Sequence, residues 1–174
     1  MTINRFIWFE RKFELGLPVR MLPNIIERLR GTPARAEELT KALPVEILRR
    51  RDDERWSIQE HVGHLLDLGA LDLSRVADYE AGHETLTVAD LQNRKTHEAN
   101  HNARDLRDLS VEFRAERGEF VRRLEAFDET QVERFAIHPR LQKPMRVVDF
   151  AFFVAEHDDH HLAAISALIR KFAG

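Results

Sequence analysis

Cysteine is absent from the 174-residue chain, which removes disulfides, thiolate metal sites and cysteine nucleophiles together. Glycine (7) and proline (6) are scarce, so a loop-rich fold is not expected. No apolar run approaches the roughly 18 residues needed to span a bilayer. The run Phe6 to Phe9 is closed at once by Glu10, Arg11 and Lys12, too soon for a secretory signal. The expectations are a cytoplasmic location and no membrane partner. A surplus of one charge sign is lacking too. The 27 basic and 30 acidic residues leave −3 at pH 7, so no bulk basic field draws in nucleic acid. The basic run Arg49-Arg50-Arg51 is followed by Asp52, Asp53 and Glu54 and reads as a solvated loop. What is present is 43% hydrophobic and 33% charged residues, the balance of a globular chain, and nine histidines against a single tyrosine.

No repeat or Ser/Gly-rich linker divides the sequence, which points to one domain over 1–174. Four segments carry a helical period of apolar residues. The first, roughly 19–43, is interrupted by Gly31, Thr32 and Pro33, where either a fresh helix starts or a continuous one kinks. The second opens on Ser57-Ile58-Gln59-Glu60, a capping box, and should run to about Glu80 with Gly82 as its stop. The third spans 103–126. The fourth, 150–172, follows Asp149 as a cap, ends on Arg170 and Lys171, and has Gly174 closing the chain. Strand signals are weak. The expected architecture is all-α, a four-helix bundle, with an extra N-terminal segment laying Phe6, Trp8, Phe9 and Phe13 across it or presenting them to a second copy.

The histidines fall on helical faces. His157 and His161, four residues apart, lie mid-stripe among Phe150, Phe153, Val154, Ala164 and Leu168. His160 is at the margin, and Asp158 and Asp159 turn outward. Two stacked imidazoles are either core histidines with a hydrogen-bond partner each, or two ligands converging on one cation at roughly 2.1 Å. In the second helix His61 lies inside the arc of Ile58, Val62, Leu65, Leu68 and Val76, and His64 at its edge, so periodicity leans towards His61 as the inward residue. Asp67, one turn after His64, is either an ordinary exposed aspartate or an acceptor that orients an imidazole. His138 sits in the loop before the last helix, where loops line pockets. Arg140 and Arg146 are candidates to meet an anionic substrate. Glu80-x-x-His83 and Glu98-x-x-His101 match di-iron spacing, but neither falls on an apolar stripe. Asp158 is about 100° round the helix from His157, which disfavours a zincin-type His-Asp-x-x-His mechanism.

The segments Trp56-Ser57-Ile58-Gln59-Glu60-His61-Val62-Gly63-His64-Leu65 and Ala155-Glu156-His157-Asp158-Asp159-His160-His161-Leu162-Ala163 resemble the second- and last-helix signatures of the DinB/YfiT-like family of small metal-dependent helical proteins. Arg28-Leu29-Arg30-Gly31-Thr32-Pro33-Ala34-Arg35 is similar to that family's opening helix. The resemblance runs from about residue 20 to the end. It implies His64, rather than His61, as the ligand that joins His157 and His161, with His61 or His160 as substitutes. Despite its name the family is unrelated to the DNA polymerase that shares the label.

Three neutral imidazoles leave a divalent ion with uncancelled charge and open positions. A bound water then falls towards pKa ~7, and a bound thiol loses its proton. No general base stands out. Some members of the resembling family are thiol transferases that use a low-molecular-weight thiol, and others are hydrolases. The expectation is a metal-dependent enzyme, thiol transferase-like or hydrolase-like, acting on a small-molecule substrate. Zinc, nickel or iron is the expected ion, and copper also suits nitrogen ligands. The alternatives are a non-catalytic metal- or ligand-binding bundle and an interaction module whose histidines are structural. A homodimer is the expected assembly.

Overall fold

The computed structural model describes residues 6–173; Gly174, expected to close the last helix, and the start of the N-terminal segment lie outside them. The chain runs through α1 (Leu22–Arg30), α2 (Thr32–Thr40), a short α3 (Val45–Leu48), α4 (Ile58–Asp67) and α5 (Gly69–Ala81). A short α6 (Arg94–Glu98), the long α7 (Leu106–Glu125) and a short α8 (Glu129–Val132) follow. A hairpin of β1 (Phe135–His138) and β2 (Lys143–Arg146) then leads into α9 (Val147–Phe172). Among the described residues no helix is long and apolar enough to cross a membrane.

Each pattern read from the sequence has a local cause. At Gly31 the helix path continues, with Gly31 N–H reaching Glu27 O at 3.0 Å and Arg35 N–H reaching Gly31 O at 3.0 Å, so Pro33 interrupts one arm rather than separating two. The capping box forms. Ser57 Oγ accepts from Glu60 N–H at 3.1 Å, and Glu60 Oε2 accepts from Ser57 N–H at 2.8 Å. The arm it opens pauses at Leu68, whose N–H still reaches His64 O at 3.1 Å, and stops at Gly82 in the left-handed region at φ 72°. The last helix starts earlier than expected, at Val147. Asp149 is therefore not its cap but sits in its first turn, where Oδ2 accepts from Arg146 N–H at 3.2 Å. Its Oδ1 takes the N–H groups of Gly16 and Leu17 at 2.8 and 2.9 Å, which ties down the N-terminal segment.

That segment packs on the bundle through buried Phe13 and through Trp8, whose ring lies 5.2 Å from Phe153 and 4.9 Å from His157. Phe6 and Phe9 stay exposed. The hairpin was not legible: its strands are four residues each, too short for an alternating period. Its register pairs Phe135 with Arg146 and His138 with Lys143. It is extended by Ile137, which donates to Glu84 O at 2.8 Å and accepts from Leu86 N–H at 3.1 Å.

The arms α1–α2 and α4–α5 each pack against both α7 and α9, so α7 and α9 occupy opposite corners of the bundle. The apolar core is in two parts. One is built on Leu29, Val76, Phe120 and Phe150, the other on Ile58, Val62, Leu109 and Ile165. Between them every arm contributes polar groups: Thr32, His64, Asp72, Arg117, Asp158 and His161 are all buried. Asp158, expected to face outward, is instead at the centre of the molecule. The face it shares with Ala151, Leu162 and Ile165 is buried under the neighbouring arms, and the outer face of α9 carries Glu156, Asp159 and Ala163 instead. Arg117 Nη2 crosses the diagonal to Asp158 Oδ1 at 2.9 Å, and Thr32 Oγ1 donates to Asp158 Oδ2 at 2.8 Å. Burial pushes the Asp158 carboxyl up, against the opposing pull of Arg117. Removing one partner of a buried pair leaves the other desolvated and uncompensated, a cost of about 3–5 kcal/mol. Arg117→Leu should therefore lower unfolding free energy by about that amount, and Arg117→Leu/Asp158→Asn should recover most of it. Urea denaturation checks this, and additive losses in the double variant would contradict it.

Candidate metal centre and the adjoining cavity

His64 leaves the last turn of α4, and His157 and His161 leave consecutive turns of α9. Each presents a ring nitrogen within 4.8 Å of the other two. The centroids of His157 and His161 are 4.4 Å apart, and those of His64 and His161 4.7 Å. The structure thus brings together the three histidines that the resemblance named. His61 is not excluded from the cluster but takes a different place in it. Its Nδ1 meets His161 Nδ1 at 2.9 Å, while His161 Nε2 faces His157 Nε2 at 3.1 Å. With the His161 proton on Nδ1 and donated to His61, its Nε2 keeps a bare lone pair on the side of His157 and His64. The helical wheel was right that His61 faces inward; it could not show that its partner would be another histidine. His160 stands at the rim, its ring 5.6 Å from Trp8.

His64 is held from behind. Thr96 Oγ1 lies 3.0 Å from His64 Nδ1 and 2.8 Å from Asp67 Oδ2. The single hydroxyl proton goes to the carboxylate, so the hydroxyl oxygen accepts from His64 Nδ1–H and Nε2 is left bare. Buried His101 donates a second bond to Asp67 Oδ2 through Nε2 at 2.8 Å. Burial alone would raise the Asp67 carboxyl, but the bonds from His101 and Thr96 outweigh it and hold it low. Of the two readings of Asp67, the structure selects the orienting acceptor, acting through a threonine. His101, set aside with its Glu98-x-x-His101 spacing, belongs to this support because Gly63 lets it in: a Cβ at position 63 would run into its ring.

Beside the histidines opens a cavity of about 300 Å³, with Trp8 and Trp56 at the cluster's end and Leu65, Leu68, Phe153 and Val154 among its apolar walls. The Trp56 ring is 4.5 Å from His64. His138 and Arg140 reach the cavity from the hairpin, and Arg75, Asp72 and Arg117 from α5 and α7. Arg146, the other arginine considered for an anionic substrate, does not line the cavity. It is spent on Glu133, Asp149 and Leu17 O, the first at 2.6 Å. Arg75 and Asp72 were missed because nothing in the periodicity of a charged helix marks a residue as cavity-lining, and Thr96 because a helix of five residues shows no period.

Burial dominates the electrostatics. It pushes the His64 imidazole down to about 4, against Asp67, and pushes His157 and His161 well below the ordinary range, helped by the neighbouring imidazoles. All three are neutral at pH 7, the form that offers a lone pair to a cation.

The profile of the DinB superfamily matches residues 28–165. Among the solved structures similar to the chain are two of related architecture. YfiT from Bacillus subtilis, described as a probable metal-dependent hydrolase with an unusual four-helix bundle topology, superposes with a TM-score of 0.77 at 18% identity and covers 94% of both chains. The mycothiol-dependent maleylpyruvate isomerase superposes with a TM-score of 0.66 at 10% identity, covering 84% of this chain and 60% of its own. At these identities the likeness is one of fold. None of the curated proteins matches the chain significantly.

The depressed imidazoles set a pH dependence in the metal-free protein. Between the ordinary value of 6.5 and the native value of about 4 for His64, the unfolded chain binds a proton that the native state refuses. Stability is therefore lost as pH falls through that window. Asp72, pushed up to about 7 by burial, acts in the opposite sense, so the comparison must isolate the histidine. Going from pH 7.5 to 4.5, wild type should lose about 2–3 kcal/mol more than His64→Gln. Denaturant midpoints at the two pH values measure it, and parallel losses in both proteins would refute it.

Proposed function

We propose, on the footing that the chain belongs to the DinB superfamily, that it is a metal-dependent enzyme whose cation is held by His64, His157 and His161. The observation that carries this is the convergence of three neutral imidazoles from two helices on one point, His64 and His161 buried and His157 half-buried. Packing alone gives little reason to gather three such rings there, since each must find a partner that an apolar side chain would not need. The donor set fits a zinc, nickel or iron ion: nitrogen ligands only, fewer than fill a coordination shell, and two nitrogens bare by the hydrogen-bond argument. A divalent ion bound there supplies the Lewis acidity that makes a thiol or a water nucleophilic near neutral pH.

The chain's own residues prepare that chemistry. Thr96 with Asp67 fixes the tautomer of His64, and His61 engages Nδ1 of His161, the side away from His157. Trp8 and Trp56 flank the cluster and limit water around it. Asp158 does not act as a zincin-type base, because Arg117 and Thr32 occupy its two oxygens. The reaction class is transfer of a low-molecular-weight thiol to a small electrophile, or hydrolysis of a small substrate, within the cavity. YfiT and the isomerase, metal-dependent and thiol-dependent in their descriptions, support this range.

Elemental analysis of the untagged protein should find about one equivalent of metal per chain, lost in His64→Ala, His157→Ala and His161→Ala. His61→Ala should retain metal more weakly. No binding after reconstitution with zinc, nickel and iron would end this reading. Thr96→Val keeps the shape of the side chain and deletes the hydroxyl between His64 and Asp67, so it should weaken metal affinity by about 10–100-fold. Competition against a chromophoric chelator checks this, and unchanged affinity would show that the hydroxyl does not orient the ligand.

A further inference from the structure

Away from the histidine cluster, the same cavity gathers buried donors that lack acceptors. Arg117 Nη1, His138 Nε2 and Arg140 Nη2 are all buried and find no hydrogen-bond partner among the described residues. His138 Nδ1 accepts from Leu141 N–H at 3.2 Å. Burial, with Arg75 and Arg140 nearby, pushes its imidazole down to about 3, so the ring is neutral and carries its one proton on Nε2, as a donor. Three stranded donors in one buried wall are a costly arrangement unless an acceptor completes it. Arg140 is steadied over Phe153 at 5.7 Å, and Arg75 by Thr87 O at 3.0 Å; among the described residues neither arginine makes an ion pair with a carboxylate.

We propose that Arg75, Arg117, His138 and Arg140 form a subsite for the carboxylate of a small substrate whose apolar body lies along Leu65, Leu68 and Phe153. Three arginines face Asp72 and Asp158 in this wall, whereas Asp90, which also lines the cavity, is turned to Gln92 N–H and Arg94 N–H at 3.1 and 3.0 Å. The wall is therefore net positive, by one charge with both aspartates ionised and by more as Asp72 takes a proton. Planar donors suit the two oxygens of a carboxylate. The apolar walls and the volume of about 300 Å³ suit a molecule of modest size. The subsite rests on the reading of this cavity as the substrate chamber of a metal-dependent enzyme. It adds that the molecule reacting beside the histidines is a carboxylic acid.

Hexanoate and its neutral isostere hexanamide make the test, with the two tryptophans of the chain, both lining the cavity, as fluorescent reporters. Full-length protein, metal-free and zinc-loaded, should bind hexanoate at least about tenfold more tightly than hexanamide and more tightly than inorganic phosphate. Arg140→Met, on the hairpin turn, should bring the two ligands to about the same affinity, and Arg75→Met should do likewise if circular dichroism shows it folded. Equal affinity in the wild type, or a preference that survives Arg140→Met, overturns the subsite. So does a preference that appears only with zinc and vanishes in His64→Ala, since the carboxylate would then be binding the metal. 3-Mercaptopropionate binding that needs both zinc and Arg140 supports the subsite and assigns the carboxylate to a thiol cosubstrate; hexanoate binding unaffected by zinc supports it and assigns the carboxylate to the other substrate. The two readings fail separately. Retained preference with no zinc uptake sinks the metal site alone, and zinc uptake without preference sinks the subsite alone.

Discussion

The ion pair of Arg117 and Asp158 sets the terms for the middle of this bundle. A charge pair buried at the crossing of four helical arms is costly unless its polar atoms are met. Thr32 completes the Asp158 side from the first arm, at the point where Gly31 and Pro33 interrupt the helix, while Arg117 Nη1 is left over on the side of the cavity. Its presence divides the apolar core into two, and polar groups have gathered in the layer between. His157 precedes Asp158 in the chain, and His161 follows one turn later. Whatever keeps Asp158 central also keeps the two imidazoles, on consecutive turns, in that layer with His64 across from them.

Desolvation is the second constraint, and it has a consistent direction. Imidazoles placed in this layer are driven to their neutral forms, and each then needs its remaining proton placed on a definite nitrogen. The residues behind them supply that choice: Thr96 and Asp67 for His64, His61 for His161, the Leu141 amide for His138. Gly63 belongs to the same logic, because only a missing side chain admits His101 to Asp67. The Gly63-His64 pair can thus be read physically, with one residue presenting the imidazole and the other making room for what orients it.

How much of this is legible in the sequence depends on how local the cause is. The four arms, the Ser57–Glu60 box and the Gly82 stop arise from neighbours in the chain, and were readable there. The pairing of His157 with His161 follows from helical spacing. His61 against His64 could not be resolved by a wheel, because both face the interior, and only the family resemblance ranked them. Asp158 was misplaced because the buried stripe of α9 is wider than one centred on His157 and takes in Ala151, Leu162 and Ile165, on whose side Asp158 lies. Arg75 and Thr96 gave no signal, and His101 only a spacing that pointed to a different site, since their roles are fixed by chain segments distant in sequence. The hairpin carrying His138 and Arg140 fell below the length at which alternation can be seen.

That hairpin divides labour within the molecule. The histidine cluster stands on α4 and α9, whose positions are locked by the core on either side. His138 and Arg140 stand instead on two four-residue strands and the turn between them, where Gln142 already adopts a left-handed backbone at φ 52°. A change of turn length or residue there reshapes one wall of the cavity while the helices stay as they are. The scaffold is therefore evolvable in a lopsided way, free to acquire new specificities from the hairpin side while the helical side stays fixed.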